Sequence, residues 1–381
     1  MSSTASTGLV APKAADAAAA RSALPLYFVN APTDFLLIGG VSIVAYFCLS
    51  LHPEANSTVF SVGTVLMWLT SWPHFAATSY RLYSSKDNIR EYPVTALVVP
   101  LLIAAGVAAS FASLDGIAPY FVRLFLFWSP YHFCGQSVGI TLIYARRAGF
   151  KVGKKERLAI SSFIFGTFFL TMARAETGTQ GRFDVIQFPY FGLPPWVANA
   201  AEIGLLIAGA AFGLFVVQWC LRNRRVLPLI VLLPAVTQYF WFVLGGGVPS
   251  FNNFVPMFHA AQYLLIAWSM QLKESATRTS VTPTPRFVWL ESVRWGAVNL
   301  AGGALLFWGI PQLLASWQGL TVGVCAAIVG AGVQIHHFFV DGVIWKLRNP
   351  KVASPLMVNL KELLTRDNPA LVPAASRVQP A

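Results

Sequence analysis

Gln334–Pro350 reads QIHHFFVDGVIWKLRNP. It closes an apolar run that begins near residue 320, and the basic residues Lys346, Arg348 and Lys351 follow at once. About 20 apolar residues ended by cations is the pattern of a membrane-spanning helix stopping at an inner surface. Two adjacent histidines and an aspartate inside such a run need a reason. An Asp at the centre of a spanning helix costs at least ~2.5 kcal/mol to insert.

The rest of the chain repeats the pattern. Of 381 residues, 56% are hydrophobic and 11% charged, against about 25% charged in soluble domains. Mean hydropathy is +0.60. The apolar runs are continuous, where a β-barrel would alternate apolar and polar residues. The fold class expected is all-α, a polytopic transmembrane helical bundle. Net charge is +12, which in a soluble chain would point to nucleic acid. Here the Lys and Arg residues fall between the apolar runs, so membrane lipid is the expected partner and nucleic acid is not. Cys48, Cys134, Cys220 and Cys325 lie inside apolar runs without a CxxC pair, which argues against a thiolate zinc site.

Runs of spanning length occur at 34–52, 58–82, 93–114, 119–145, 157–175, 195–221, 226–245, 252–272, 294–316 and 320–345. Ten spans put the basic loops 83–92, 146–157, 222–225 and 273–294 and the basic C-terminal tail on one side. The loops 53–57, 115–118, 246–251 and 317–319, which have no Lys or Arg, fall on the other, with 176–194 carrying Arg182 alone. The positive-inside rule then places both termini in the cytoplasm, in a multi-pass inner-membrane protein. Residues 1–33, rich in Ala, Ser and Thr, read as a disordered tail. Residues 34–348 form the transmembrane domain. Residues 349–381 form a cytoplasmic tail with a short amphipathic helix around LMVNLKELL. Loop 176–194 is expected to rest on the lipid headgroups.

His52 lies in an outer turn, but His74, His132, His259, His336 and His337 all fall within spans. They sit on the second, fourth, eighth and tenth runs, which cross in the same direction. Counting at 1.5 Å per residue from the following basic residue puts all five in one layer near the midplane. Helical spacing adds Gln136 beside His132, Gln262 and Tyr263 beside His259, and Gln334, Asp341 and Trp345 in a stripe with His337. Arg81 shares a face with His74 and Thr78, within reach of Asp341. Pro73, Pro130 and Pro256 each shortly precede a histidine and would kink the helix there. Imidazoles in a dry layer suit iron, zinc or copper, and Gln, Asp and Tyr would hold their tautomers. An iron with open positions would bring O2 beside an apolar substrate.

The motifs WPH (Trp72–His74), YHFCGQ (Tyr131–Gln136), FHAAQY (Phe258–Tyr263) and HHFFVD (His336–Asp341) resemble the Brp/Blh-type bacterial β-carotene 15,15′-dioxygenases. Gln136 and Gln262 stand where acidic residues are expected. The resemblance implies a multi-helix membrane dioxygenase with His74, His132, His259 and His336 or His337 as iron ligands. The leading expectation is a non-haem iron oxygenase of a lipophilic small molecule, carotenoid-like or lipid. Asp341 would orient His337, and Gln136, Gln262 and Tyr263 would complete the catalytic group. A haem-binding electron-transfer protein, a transporter or channel with a His/Asp relay, and a scaffold with hydrogen-bonded histidines stay open.

Overall fold

The fold is described from a computed structural model, over residues 25–52, 56–150, 152–248, 250–279, 281, 283–346, 352, 356 and 359. Among these residues the chain forms eleven helices and one small hairpin. The helices are α1 (Ala31–Leu51), α2 (Asn56–Tyr83), the short α3 (Lys86–Glu91), α4 (Val94–Ala112), α5 (Ala118–Arg147) and α6 (Lys154–Ala175). After the hairpin come α7 (Pro195–Asn223), α8 (Leu229–Gly247), α9 (Phe251–Thr279), α10 (Pro285–Gln318) and α11 (Val322–Ile344). The hairpin pairs β1 (Gln180–Phe183) with β2 (Ile186–Pro189). The all-α expectation is met.

Seven helices, α1, α4, α6, α7, α8, α10 and α11, are long and apolar enough to cross a membrane. This is the signature of a membrane protein. The other three long helices are α2, α5 and α9, and they are the ones that carry His74, His132 and His259. Their apolar runs are diluted by the groups they turn inward, such as Thr78, Ser137 and Gln262, all wholly buried. By contrast α7 is almost bare of buried residues, with Leu205 its one contribution to the core. A helix that is apolar all round and packs on little protein belongs against lipid.

Two helix ends run further than hydropathy alone predicts. Helix α9 continues to Thr279 and α10 begins at Pro285, so the expected loop 273–294 shrinks to 280–284. The charges that hydropathy reads as a loop are satisfied sideways. Gln271 Nε2 donates to Glu291 Oε1 (2.8 Å), Arg294 binds Glu291 (2.7 Å), and Arg81 bridges to Glu274 (3.0 Å).

Helices α1 and α8 contain π-helical turns, Leu36–Gly40 and Phe240–Leu244. A wider turn loosens the backbone ladder and leaves carbonyls to be satisfied from elsewhere. In both, a side chain from another helix does so: Gln262 Nε2 donates to Ile38 O (2.5 Å) and Thr171 Oγ1 to Phe242 O (2.8 Å).

Two boundary expectations are corrected. Residues 25–33 are ordered: Phe28 and Asp34 are fully buried, and Arg147 donates to Leu26 O and Tyr27 O. Loop 176–194 contains the hairpin, turning at Asp184 with a left-handed φ of 52°. Its Ile186 and Phe188 are buried against Val122, Phe125 and Ile328, so it caps protein where a headgroup contact was expected. Arg123 anchors its base through Glu176 at 2.7 Å. The helix expected around LMVNLKELL falls outside the described residues, apart from Leu356 and Asn359.

Candidate metal centre

Four helices deliver one histidine each to a common point. His74 comes from α2, His132 from α5, His259 from α9 and His337 from α11. His74, His259 and His337 are almost fully buried, and the His132 side chain is 10% exposed. His337 Nε2 lies 3.0 Å from His74 Nε2 and 3.1 Å from His132 Nε2. The His259 ring stands 5.1 Å, centroid to centroid, from those of both His74 and His132. One ligand atom from each of His74, His259 and His337 lies within 4.8 Å of the others, and the same holds for His132, His337 and Asp341.

Hydrogen bonding among the rings does not account for this packing. A neutral imidazole nitrogen carries either one N–H or one lone pair in its plane. His337 Nε2 faces two other ring nitrogens and has one such site to offer them. Both nitrogens of His259 and Nδ1 of His74 are buried without a hydrogen-bond partner, a costly arrangement in a dry interior. A cation at the centre would satisfy the facing lone pairs together. The spacing fits one: two nitrogens each ~2.1 Å from a single ion and about 90° apart stand ~3.0 Å from each other.

The surrounding groups select the tautomer of His337. Thr78 Oγ1 lies 2.9 Å from His337 Nδ1, 2.6 Å from the Tyr263 hydroxyl and 3.1 Å from Asp341 Oδ1. Thr78 has one hydrogen to give. Asp341 Oδ1 is the acceptor for the Trp345 indole as well, so Thr78 donates to it and accepts from Tyr263 and from His337 Nδ1–H. His337 Nε2 is then the lone-pair nitrogen and points into the cluster. Trp345 Nε1–H donates to the same Asp341 oxygen at 3.2 Å.

This changes the role expected of Asp341. Its second oxygen stands 3.4 Å from His337 Nε2 and 3.6 Å from His132 Nε2, on the ligand side of the rings. Thr78, and not Asp341, holds Nδ1 of His337. The i,i+4 spacing sets Asp341 one turn from His337, and its side chain reaches the face of the cluster that His132 also borders.

The structure does not bring His336 to the cluster. It turns away on α11, stacks parallel to Tyr83 at 6.0 Å, and places Nε2 3.1 Å from the Tyr83 hydroxyl. Gln136 and Gln262 are close but spent mainly on each other and on backbone. Gln136 Nε2 donates to His259 O and to Gln262 Oε1 (3.0 and 3.1 Å), while Gln136 Oε1 is buried and unpaired. Tyr263 packs edge-on to His74, with centroids 4.3 Å apart. Arg81 pairs with Glu274 and lies 4.8 Å over the Trp345 ring, so it does not meet Asp341.

A cavity of about 410 Å³ opens beside this group, reaching His132, Asp341 and Tyr263 along walls that include Trp128, Phe338 and Ile266. That volume suits a small-molecule site, and the lining is mainly apolar. His132 and Asp341 are the members of the cluster that border it; His74, His259 and His337 do not line it. The chain matches no family model, no curated protein and no solved structure.

Proposed function

We propose that this protein is an integral membrane metalloprotein, a non-haem iron oxygenase of a lipophilic molecule that enters its cavity from the bilayer. The observation that carries the proposal is the meeting of four imidazoles from four helices, with two of them 3.0 and 3.1 Å from His337 Nε2, beside an apolar cavity. His74, His132, His259 and His337 would hold the metal, with Asp341 at the fifth position. Imidazole and carboxylate donors with a position left free suit iron, which when bound supplies oxidative chemistry with O2. The chain's own part is to hold the donors in register, through Thr78 on His337, and to keep water out with Phe75, Tyr263 and Phe338. It also leaves the His132–Asp341 side facing the cavity, so that a substrate can approach there.

A haem held between two axial histidines is the weaker reading. It needs facing nitrogens about 4 Å apart, twice a metal–nitrogen bond, with a flat slot between them. Nitrogens 3.0 Å apart leave no slot.

With this reading go ten spans, α1, α2 and α4–α11, in an inner membrane, with both termini in the cytoplasm. Elemental analysis of detergent-purified protein is the direct test. Iron near one equivalent is expected, lost on replacing His74, His132, His259 or His337 by Ala and kept in His336→Ala. Metal content unchanged by all four replacements, in protein that still accumulates, would remove the proposal. A Soret band in the purified protein would replace it with the haem reading.

A further inference from the structure

The cavity beside His132 follows α5 and the end of α11. Its α5 wall runs from Trp128 to Ile143, a length of about 22 Å at 1.5 Å per residue. Halfway along, side chains are missing: Gly135 and Gly139 on α5 and Gly342 on α11 line it, and a Cβ at any of the three would meet nothing within 4 Å. The three glycines leave a strip free of side chains between α5 and α11. At the far end from Trp128 the lining includes Lys346, the one Lys or Arg in the wall. Among the described residues Lys346 makes no hydrogen bond, ion pair or ring contact. It stands where α11 ends, five residues past Asp341 and nine past His337, roughly 8 and 14 Å along the helix.

A cation left unpaired at the end of an apolar groove is half of a recognition pattern. The missing half is an anion attached to something apolar. We propose that the cavity seats a single-chain amphiphile whose anionic head pairs with Lys346 and whose chain runs past Gly139 and Gly135 to lie against His132. This rests on reading the cavity as the substrate site of the metal centre, and it names the substrate class: a carboxylate or phosphate head on one long hydrocarbon chain. The separation of Lys346 from His132 means that mid-chain carbons face the metal ligands, while the head stays at the headgroup level of the membrane. A headless hydrocarbon would fill the same groove and leave Lys346 unpaired against it.

The test uses full-length purified protein and a long-chain fatty acid carrying a mid-chain diazirine. Light-driven labelling should be saturable, map to α5 between Tyr131 and Ile143 or to Phe338, and be competed by palmitate and by a lysophosphatidic acid of the same chain. The alcohol of that chain length should compete poorly. Competition by lysophosphatidic acid alone would assign the head to a phospholipid source. Lys346→Gln should weaken binding about fivefold, Lys346→Arg should retain it, and Gly139→Leu should block it. Equal competition by the alcohol, labelling unchanged in Lys346→Gln, or labels outside the cavity would overturn the proposal. Metal content of the same samples keeps the two readings apart. Metal without saturable labelling sinks the amphiphile alone, and saturable labelling without metal sinks the metal centre alone.

Discussion

At Thr78 a single hydroxyl decides which nitrogen of His337 faces the cluster. It is fully buried and touches His337, Tyr263 and Asp341 at once. Replacing it by Val keeps the shape and removes the contact. His337 is then free to turn its N–H inward, and Asp341 loses one of its two hydrogen bonds on Oδ1. Groups that orient a metal-bound histidine in this way are typically worth 10–100-fold in affinity. Thr78→Val is therefore expected to lower metal affinity by that factor without preventing accumulation, measured by chelator competition. Tyr263→Phe removes a donor to Thr78 but leaves the Thr78–His337 contact, and its effect should be smaller. An equal or larger loss in Tyr263→Phe would mean that Tyr263, not Thr78, sets the tautomer. The histidines were legible in the sequence because ionisable groups in a spanning run are costly and therefore conspicuous. Thr78 was placed on the His74 face but given no role, since a Thr four residues after a His on an apolar helix is an ordinary residue. His336 was misread for the opposite reason. It is as conspicuous as His337, and only its tertiary neighbour Tyr83 shows that the hydrogen bond it needs lies outside the cluster.

Apart from the facing ends of α9 and α10, the helices were located almost to their ends by apolar run length, while their internal irregularities were not. The π turn in α1 is an example. Nothing in Leu36–Gly40 announces it, and the side chain that answers it, Gln262, lies on α9 beyond two hundred intervening residues. Gln262 was read from its neighbour His259 as part of the catalytic group, yet its two ends are taken by Ile38 O and Gln136 Nε2. Its work is to tie α1 and α5 to α9 behind the histidines. Gln262→Leu leaves Ile38 O without its partner and takes one of the two acceptors of Gln136 Nε2, at about 1–3 kcal/mol for each lost bond. The expected outcome is a clear fall in thermal midpoint with the metal-to-protein ratio of surviving protein unchanged. A variant of normal stability that lost its metal would return Gln262 to the site. The hairpin was missed for a related reason. Its alternation is only four residues long in each strand, and its buried face, Ile186 and Phe188, has meaning only once Phe125 and Ile328 are beneath it.

Across the whole molecule the division of labour among helices explains why hydropathy and charge tell different parts of the story. Helices α2, α5 and α9 fall short of the apolar standard for a span because they carry the polar groups of the centre, and α11, the most buried of the seven that meet it, contributes His337 and Asp341. A hydropathy scan alone would count seven crossings and, being odd, put the termini on opposite sides. The ten-span reading of the loop charges puts them together. The two counts predict different accessibilities at named positions. With Cys48, Cys134, Cys220 and Cys325 replaced by Ser, single cysteines at Lys154 and Arg224 should be closed to a membrane-impermeant thiol reagent in intact cells and open once the membrane is breached. Single cysteines at Asp115 and Gly319 should be labelled from outside. Lys154 and Asp115 lie at opposite ends of α5 and its neighbours, so labelling of both from the same side would mean that α5 does not cross. His132 would then lie in no membrane layer, the four histidines could not share one, and the lateral route to the cavity would go with it. Labelling that alternates across α5 supports a centre buried at mid-depth, open toward lipid on the side of Gly135, Gly139 and Gly342.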